Sequence, residues 1–176
     1  MSESKNGRLE AAETLIRAGS IGAAVGALRT LVAERPEDAS AQELLATALE
    51  ASGDRVGAEA ALRAALRLDP MAAGAATKLA TILSARREWP EAIARLEPFV
   101  GTPSADLQLL TAYGAALKMT GRLDDAAEAY RRATQAAPAS GVAEHNLAAV
   151  LGDAQRFAES DAAAQRAFAK GLDAPE

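Results

Sequence analysis

The sequence contains no cysteine, so it has neither disulfides nor thiolate chemistry, and the redox compartment stays open. It has one histidine, His145, too few for a multi-histidine metal site, and no cysteine to complete one. Aromatic residues make up only 3% of the chain, which argues against a β-sandwich, a fold that favours β-branched and aromatic side chains. No uninterrupted apolar run approaches the length of a membrane-spanning helix, so no membrane insertion is expected. The stretch from Met1 to Ser20 begins polar and lacks the continuous apolar segment of a secretion signal. Basic charge is also short. With a net charge of −5 the chain shows no electrostatic footprint for nucleic acid. The expectation is a soluble cytoplasmic protein.

Alanine and leucine dominate what is present, as suits closely packed helices. They recur with a period. Gly19, Gly53 and Gly121 are separated by multiples of 34 residues, and so are Pro36, Pro70 and Pro138. Ala24, Ala58, Ala92 and Ala126 form a third column, with Ser160 in its next slot. Leu28, Leu62, Leu96 and Tyr130 form a fourth, and Leu45, Leu79, Tyr113 and Leu147 a fifth. Leu15, Leu49, Leu83, Leu117 and Leu151 form a sixth. Five copies are in phase, spanning about 5–38, 39–72, 73–106, 107–140 and 141–172, with tails expected to be flexible at 1–4 and 173–176. Each copy reads as a helix A, a turn at the glycine, a helix B and a stop at the proline. The small residues Ala12 and Ala24, Ala46 and Ala58, Ala80 and Ala92, Gly114 and Ala126, and Ala148 and Ser160 are expected where A crosses B.

This period and these slots resemble the tetratricopeptide repeat family. The fourth copy matches best, with Leu110, Tyr113-Gly114, Leu117, Ala126, Tyr130 and Pro138. No copy has Trp in the first motif slot. The resemblance implies an all-α, right-handed α-solenoid of about ten antiparallel helices in a single array. It also implies a concave groove, lined by the A helices, that holds a protein or peptide partner. The matching residues are Leu9, Glu10, Glu13 and Arg17 in copy one, and Glu43, Thr47 and Glu50 in copy two. Copy three offers Thr77, Lys78, Thr81 and Ser84, and copy four Thr111, Ala115 and Lys118. Copy five offers His145, Asn146, Ala149 and Asp153.

One groove chemistry can be tested on the residues themselves. Chaperone-binding members of the family clamp a terminal carboxylate with Lys, Asn and Arg. The matching positions here are Leu9, Glu13, Leu44, Gly74 and Lys78, and only Lys78 fits. In copies three to five the matching residues, Thr77, Thr81, Ala112, Val142 and Asn146, do not fit at all. No carboxylate clamp of that kind is expected.

Nothing in the chain reads as catalytic, and no cofactor is expected. His145 lacks an oriented partner, because Glu144 and Asn146 point away from it on a helix. Asp124 and Asp125 fall in the first turn of a B helix, where negative charge suits the helix dipole. Arg86-Arg87 and Arg131-Arg132 come without aromatic stacking platforms. The leading expectation is an interaction scaffold. The alternative is a recruiting module of a larger bacterial enzyme, resembling those that precede sulfotransferases or iron-dependent oxygenases. Self-association through the terminal helices is a further expectation, because a solenoid must cover or solvate its ends.

The segment Ser84–Ser104 breaks the pattern. Arg87 stands in the glycine column, and Trp89 takes an anchor slot used elsewhere by Ile21, Leu123 and Phe157. Pro90 is tolerable in a first helical turn. Pro98 falls where a B helix should continue, and would clash with the carbonyl of Ala94. A kink or early end is expected there, with Phe99 filling the space of the usual alanine and residues 101–103 as a looser connector.

Overall fold

The computed structural model describes residues 5–171. The expected tails, at 1–4 and 173–176, lie outside the described residues. The described chain is built of helices alone: α1 (Lys5–Arg17), α2 (Ile21–Glu34), α3 (Ala39–Ala51), α4 (Arg55–Leu68), α5 (Ala73–Ala85), α6 (Trp89–Leu96), α7 (Leu107–Met119), α8 (Leu123–Ala136), α9 (Gly141–Asp153) and α10 (Phe157–Ala169), with one 3₁₀ turn at Glu97–Phe99. The odd-numbered helices are the A helices and the even-numbered ones the B helices. Both series start at intervals of 34 residues, so the phase read from the sequence is the phase of the fold.

The same physical devices set the boundaries in each copy. Gly19, Gly53 and Gly121 follow their A helices at φ 73°, 85° and 78°, a region that costs an L side chain but not glycine. Arg87 and Gln155 hold the same column at φ 63° and 60°. Asp38, Asp54 and Asp106 cap α3, α4 and α7, each accepting from a backbone N–H three residues on. The prolines stand just past α2, α4 and α8.

The described chain divides inside α5 into two compact units, one ending at Ile82 and the other starting at Leu83. In the first unit α1 packs on α2, α2 on α3, and α3 on α4. In the second α6 packs on α7, α7 on α8, α8 on α9, and α9 on α10. The repeated columns form the interiors. Ala24, Leu28, Ala58 and Leu62 are buried in the first unit, and Ala92, Leu96, Ala126 and Tyr130 in the second. Burying one leucine stabilises by about 1.5–3 kcal/mol, so the columns carry most of the fold. The crossing of small residues is visible in the fifth copy, where the Ser160 hydroxyl donates to the carbonyl of Ala148 at 2.8 Å.

The third B helix ends early. α6 has 8 residues against 14 in α8, and the chain tightens into the 3₁₀ turn that contains Pro98. Phe99 is 2% exposed and occupies the column that Ala65 and Ala133 fill elsewhere. Trp89 is half-buried at the start of α6, beside Pro90 in the first turn.

Candidate functional site

The A helices carry the nominated residues, and the two units can be taken in turn. In the first unit, Glu10, Glu13 and Arg17 lie exposed on α1, and Glu43, Thr47 and Glu50 lie along α3. Thr77, Lys78 and Thr81 follow on α5. The structure joins two of these helices directly, since Lys78 Nζ donates to Glu43 Oε1 at 2.8 Å. Lys78, the single residue that fits a carboxylate clamp, is therefore already engaged. Gly74 lies beneath the same Glu43 carboxylate, which would sit 2.6 Å from a Cβ at that position.

In the second unit, Lys118 on α7 pairs with Asp153 on α9 at 2.8 Å. Both bridges span 35 residues, one more than the repeat, and so step from one A helix to the next. His145 is exposed and Asn146 half-buried on the same helix as Asp153. Thr111 is placed differently, because its hydroxyl is buried without a hydrogen-bond partner and is not presented to the surface.

The hydroxyls of the nominated threonines are largely committed. Thr47 donates to the carbonyl of Glu43 at 3.2 Å, Thr77 to Ala73 at 2.9 Å, and Thr81 to Thr77 at 3.0 Å. Back-bonding of this kind leaves their methyl groups as the free surface. Arg17 bonds the hydroxyl of Thr14 at 3.3 Å. Glu10, Glu13 and Glu50 are exposed and make no ion pair with a described residue. The A-helix surface of the first unit is therefore acidic, while the charged pair in the second is neutral.

Two features escaped the sequence reading. Glu144 is 4% exposed, and both its carboxylate oxygens are held, by Arg166 Nε at 3.0 Å and Lys170 Nζ at 2.9 Å. It locks α9 to α10, and a buried carboxylate left without such partners would be costly. The available signal was positional: Glu144 stands in the column of Ala76 and Leu110, and its two cations lie one helical turn apart. The second feature is an opening of about 170 Å³ beside the shortened α6, lined by Val100, Tyr113, Arg122, Asp125, Glu128 and Arg132 among others. Burial pushes the Tyr113 phenol up, helped by Glu97 and Asp125 and opposed by Arg122. Deeper in the core, burial pushes the Tyr130 phenol up to about 12.

Several other charged groups pair with one another. Asp125 pairs with Arg122 at 2.8 Å, and Asp124 with Arg156 at 3.2 Å. Arg131 reaches Glu128 at 3.5 Å and Glu159 at 3.3 Å. Among the described residues no three His, Asp or Glu side chains gather as metal ligands. Nor is any described helix long and apolar enough to cross a membrane.

Comparison with known proteins agrees with this fold. Among solved structures, MamA superposes with a TM-score of 0.81 at 17% identity, covering 97% of this chain and 96% of that one. PilF of Pseudomonas aeruginosa gives 0.80 at 15% identity, covering 96% and 77%. YrrB, described as a TPR protein with an unusual peptide-binding site, gives 0.78 at 17% identity, covering 94% and 86%. At these identities the likeness shows the fold, an all-α solenoid of helix pairs. No curated protein sequence matches the chain. The tetratricopeptide repeat model matches residues 9–76 and 77–141. With that match across most of its length, and with the period and boundary glycines described above, the chain belongs to the tetratricopeptide repeat family, whose fold is that of a protein–protein interaction scaffold.

Proposed function

We propose that the A-helix face of the first unit holds an extended segment of a partner protein that carries lysine or arginine. The observation that carries this reading is the set Glu10, Glu13 and Glu50, exposed and unpaired on helices whose other nominated charges are engaged. Spacing within each helix keeps these side chains on one side. The threonine methyls and the stem of Lys78 supply apolar area between the charges, so the partner residues between its cations should be small or aliphatic. Charge complementarity of this kind sets orientation and encounter rate more than total affinity, and salt should weaken it. The peptide-binding site named for YrrB supports the choice of a peptide-like occupant, although it is a property of that protein. The second unit's face, with Lys118 and Asp153 paired and His145 and Asn146 beside them, would add polar contacts rather than charge.

A recruiting role inside a larger enzyme would use this same face, and no observation on the described residues favours it over a free-standing scaffold. The test uses a fluorescent peptide that alternates lysine with alanine and its glutamate counterpart. Saturable binding of the lysine peptide is expected, weakened about tenfold by Glu10→Gln, Glu13→Gln and Glu50→Gln together and by raised salt. Equal binding of the glutamate peptide, or indifference to the three substitutions, would refute the proposal.

A further inference from the structure

The 34-residue phase allows every surface residue to be compared with its counterparts one or more repeats away. Applied to the two ends of the chain, it shows two surfaces that are more open than their counterparts in inner repeats.

The first is a cleft of about 240 Å³ between α1 and α2, walled by Ala11, Ala12, Leu15, Ala27, Leu28 and Leu31, with Arg8 and Thr30 also lining it. Three of its residues, Ala11, Ala27 and Thr30, hold the columns of Tyr113, Ala129 and Arg132, which line the smaller opening beside α6. The two openings are thus one site of the repeat, seen twice. In the second unit that site is closed partly by Val100, at the end of the preceding B segment. In the first unit no described segment precedes α1.

The second surface is on α10. Phe157 is 65% exposed and Phe168 69% exposed. They lie 11 residues apart, on one side of the helix, with Ala164 between them. Ala164 is exposed in the column where Leu28, Leu62, Leu96 and Tyr130 are buried. Phe168 holds the column of Val100. The B-helix surface that inner copies bury is open here, and carries two large aromatic side chains.

We infer that a second copy of this chain covers both surfaces, with α10 of one copy docking head-to-tail against the α1–α2 cleft of the next. Two observations favour a second copy as the occupant. The first is register: the column that brings Val100 beside Tyr113 and Ala129 brings Phe168 beside Ala11 and Ala27 of the next copy. The second is volume, since a larger Phe replaces Val where a smaller Ala replaces Tyr, and the pair conserves size. The bridges that join α8 to α10 find no like-charge conflict at such a junction. The columns of Arg131 and Glu159 become Gln165 and Ala23, and those of Asp124 and Arg156 become Ala158 and Ser20. A head-to-tail contact leaves one free surface of each kind, so further copies can add.

The peptide face of α1, α3 and α5 uses none of these apolar residues, so failure of either idea leaves the other standing. The test is sedimentation velocity on the 176-residue chain over rising concentration. Wild type should show mass that grows with concentration. Phe168→Glu disables the tail and Ala27→Glu the head; both sites are exposed, and circular dichroism checks that each variant remains folded. Each variant alone should stay monomeric, and an equimolar mixture should form a single one-to-one dimer and nothing larger. Wild type that stays monomeric, a Phe168→Glu variant that associates as wild type does, or a mixture that forms no dimer would each overturn the inference. An Ala27→Glu variant that still dimerises alone would overturn it in favour of tail-to-tail contact.

Discussion

The B segments of the third and fourth copies start in the same register and finish differently. α8 runs 14 residues and buries Ala126, Ala127, Ala129, Tyr130 and Ala133 along one regular stripe. α6 runs 8 residues, buries Ala92, Ile93 and Leu96, and then gives way to the turn that carries Phe99 inward. In the regular copy the helix comes close, so alanine suffices and the large side chain is Tyr130. In the irregular copy Pro98 moves the backbone off the helical path, and a phenylalanine closes the distance. The bulk of the core therefore sits in different columns in the two copies.

The strongest way to break this comparison is Phe99→Ala. It installs the residue native to the same column at Ala65 and Ala133, yet it should cost about 3–5 kcal/mol, because the backbone here leaves a cavity instead of closing on a methyl group. Urea unfolding measures it, and a loss below about 1 kcal/mol would mean that the third copy can relax to the geometry of the fourth.

A second test acts on the bulk of the regular copy. A Cβ on Gly114 would lie 2.9 Å from the buried Tyr130 ring. Gly114→Ala should therefore destabilise by roughly 1 kcal/mol net, the overpacking exceeding the gain in helix propensity. In a Tyr130→Leu background, which restores the leucine of the other copies, the same substitution should become stabilising. A thermal-melt cycle that shows no change of sign would remove the proposed coupling.

The smallest effect concerns the turns that lead into the two B segments. Arg87 adopts φ 63°, where Gly121 adopts 78°. Arg87→Gly should stabilise by about 0.5–1 kcal/mol and Gly121→Ala should destabilise by about 1 kcal/mol. Equal responses at the two turns would mean that the Arg87 side chain makes compensating contacts.

Much of this was legible from the residues. The helix starts, the glycine turns, the proline stops and the early end of α6 all follow from local backbone rules, which need no knowledge of distant neighbours. Phe99 as a core residue followed too, because its column was known. Glu144 was not legible as a buried ion-pair centre. Its cations, Arg166 and Lys170, lie on the next helix, and pairing at that range depends on how α9 and α10 face each other. For the same reason the sequence could nominate residues on the A helices but could not sort them. Glu43 and Lys78 neutralise each other across helices, while Glu10, Glu13 and Glu50 stay free, and no periodicity distinguishes these two outcomes.

By itself the sequence determined the repeat length, the number of helix pairs, the family and the position of the irregular copy, since these rest on φ preferences, proline sterics and the burial of apolar columns. Tertiary structure alone decided which charges are spent on internal bridges, which hydroxyl is buried, and which apolar columns are left open on α10 and between α1 and α2. Those outcomes depend on side-chain distances between helices, and a difference of one ångström there separates an ion pair from a free charge.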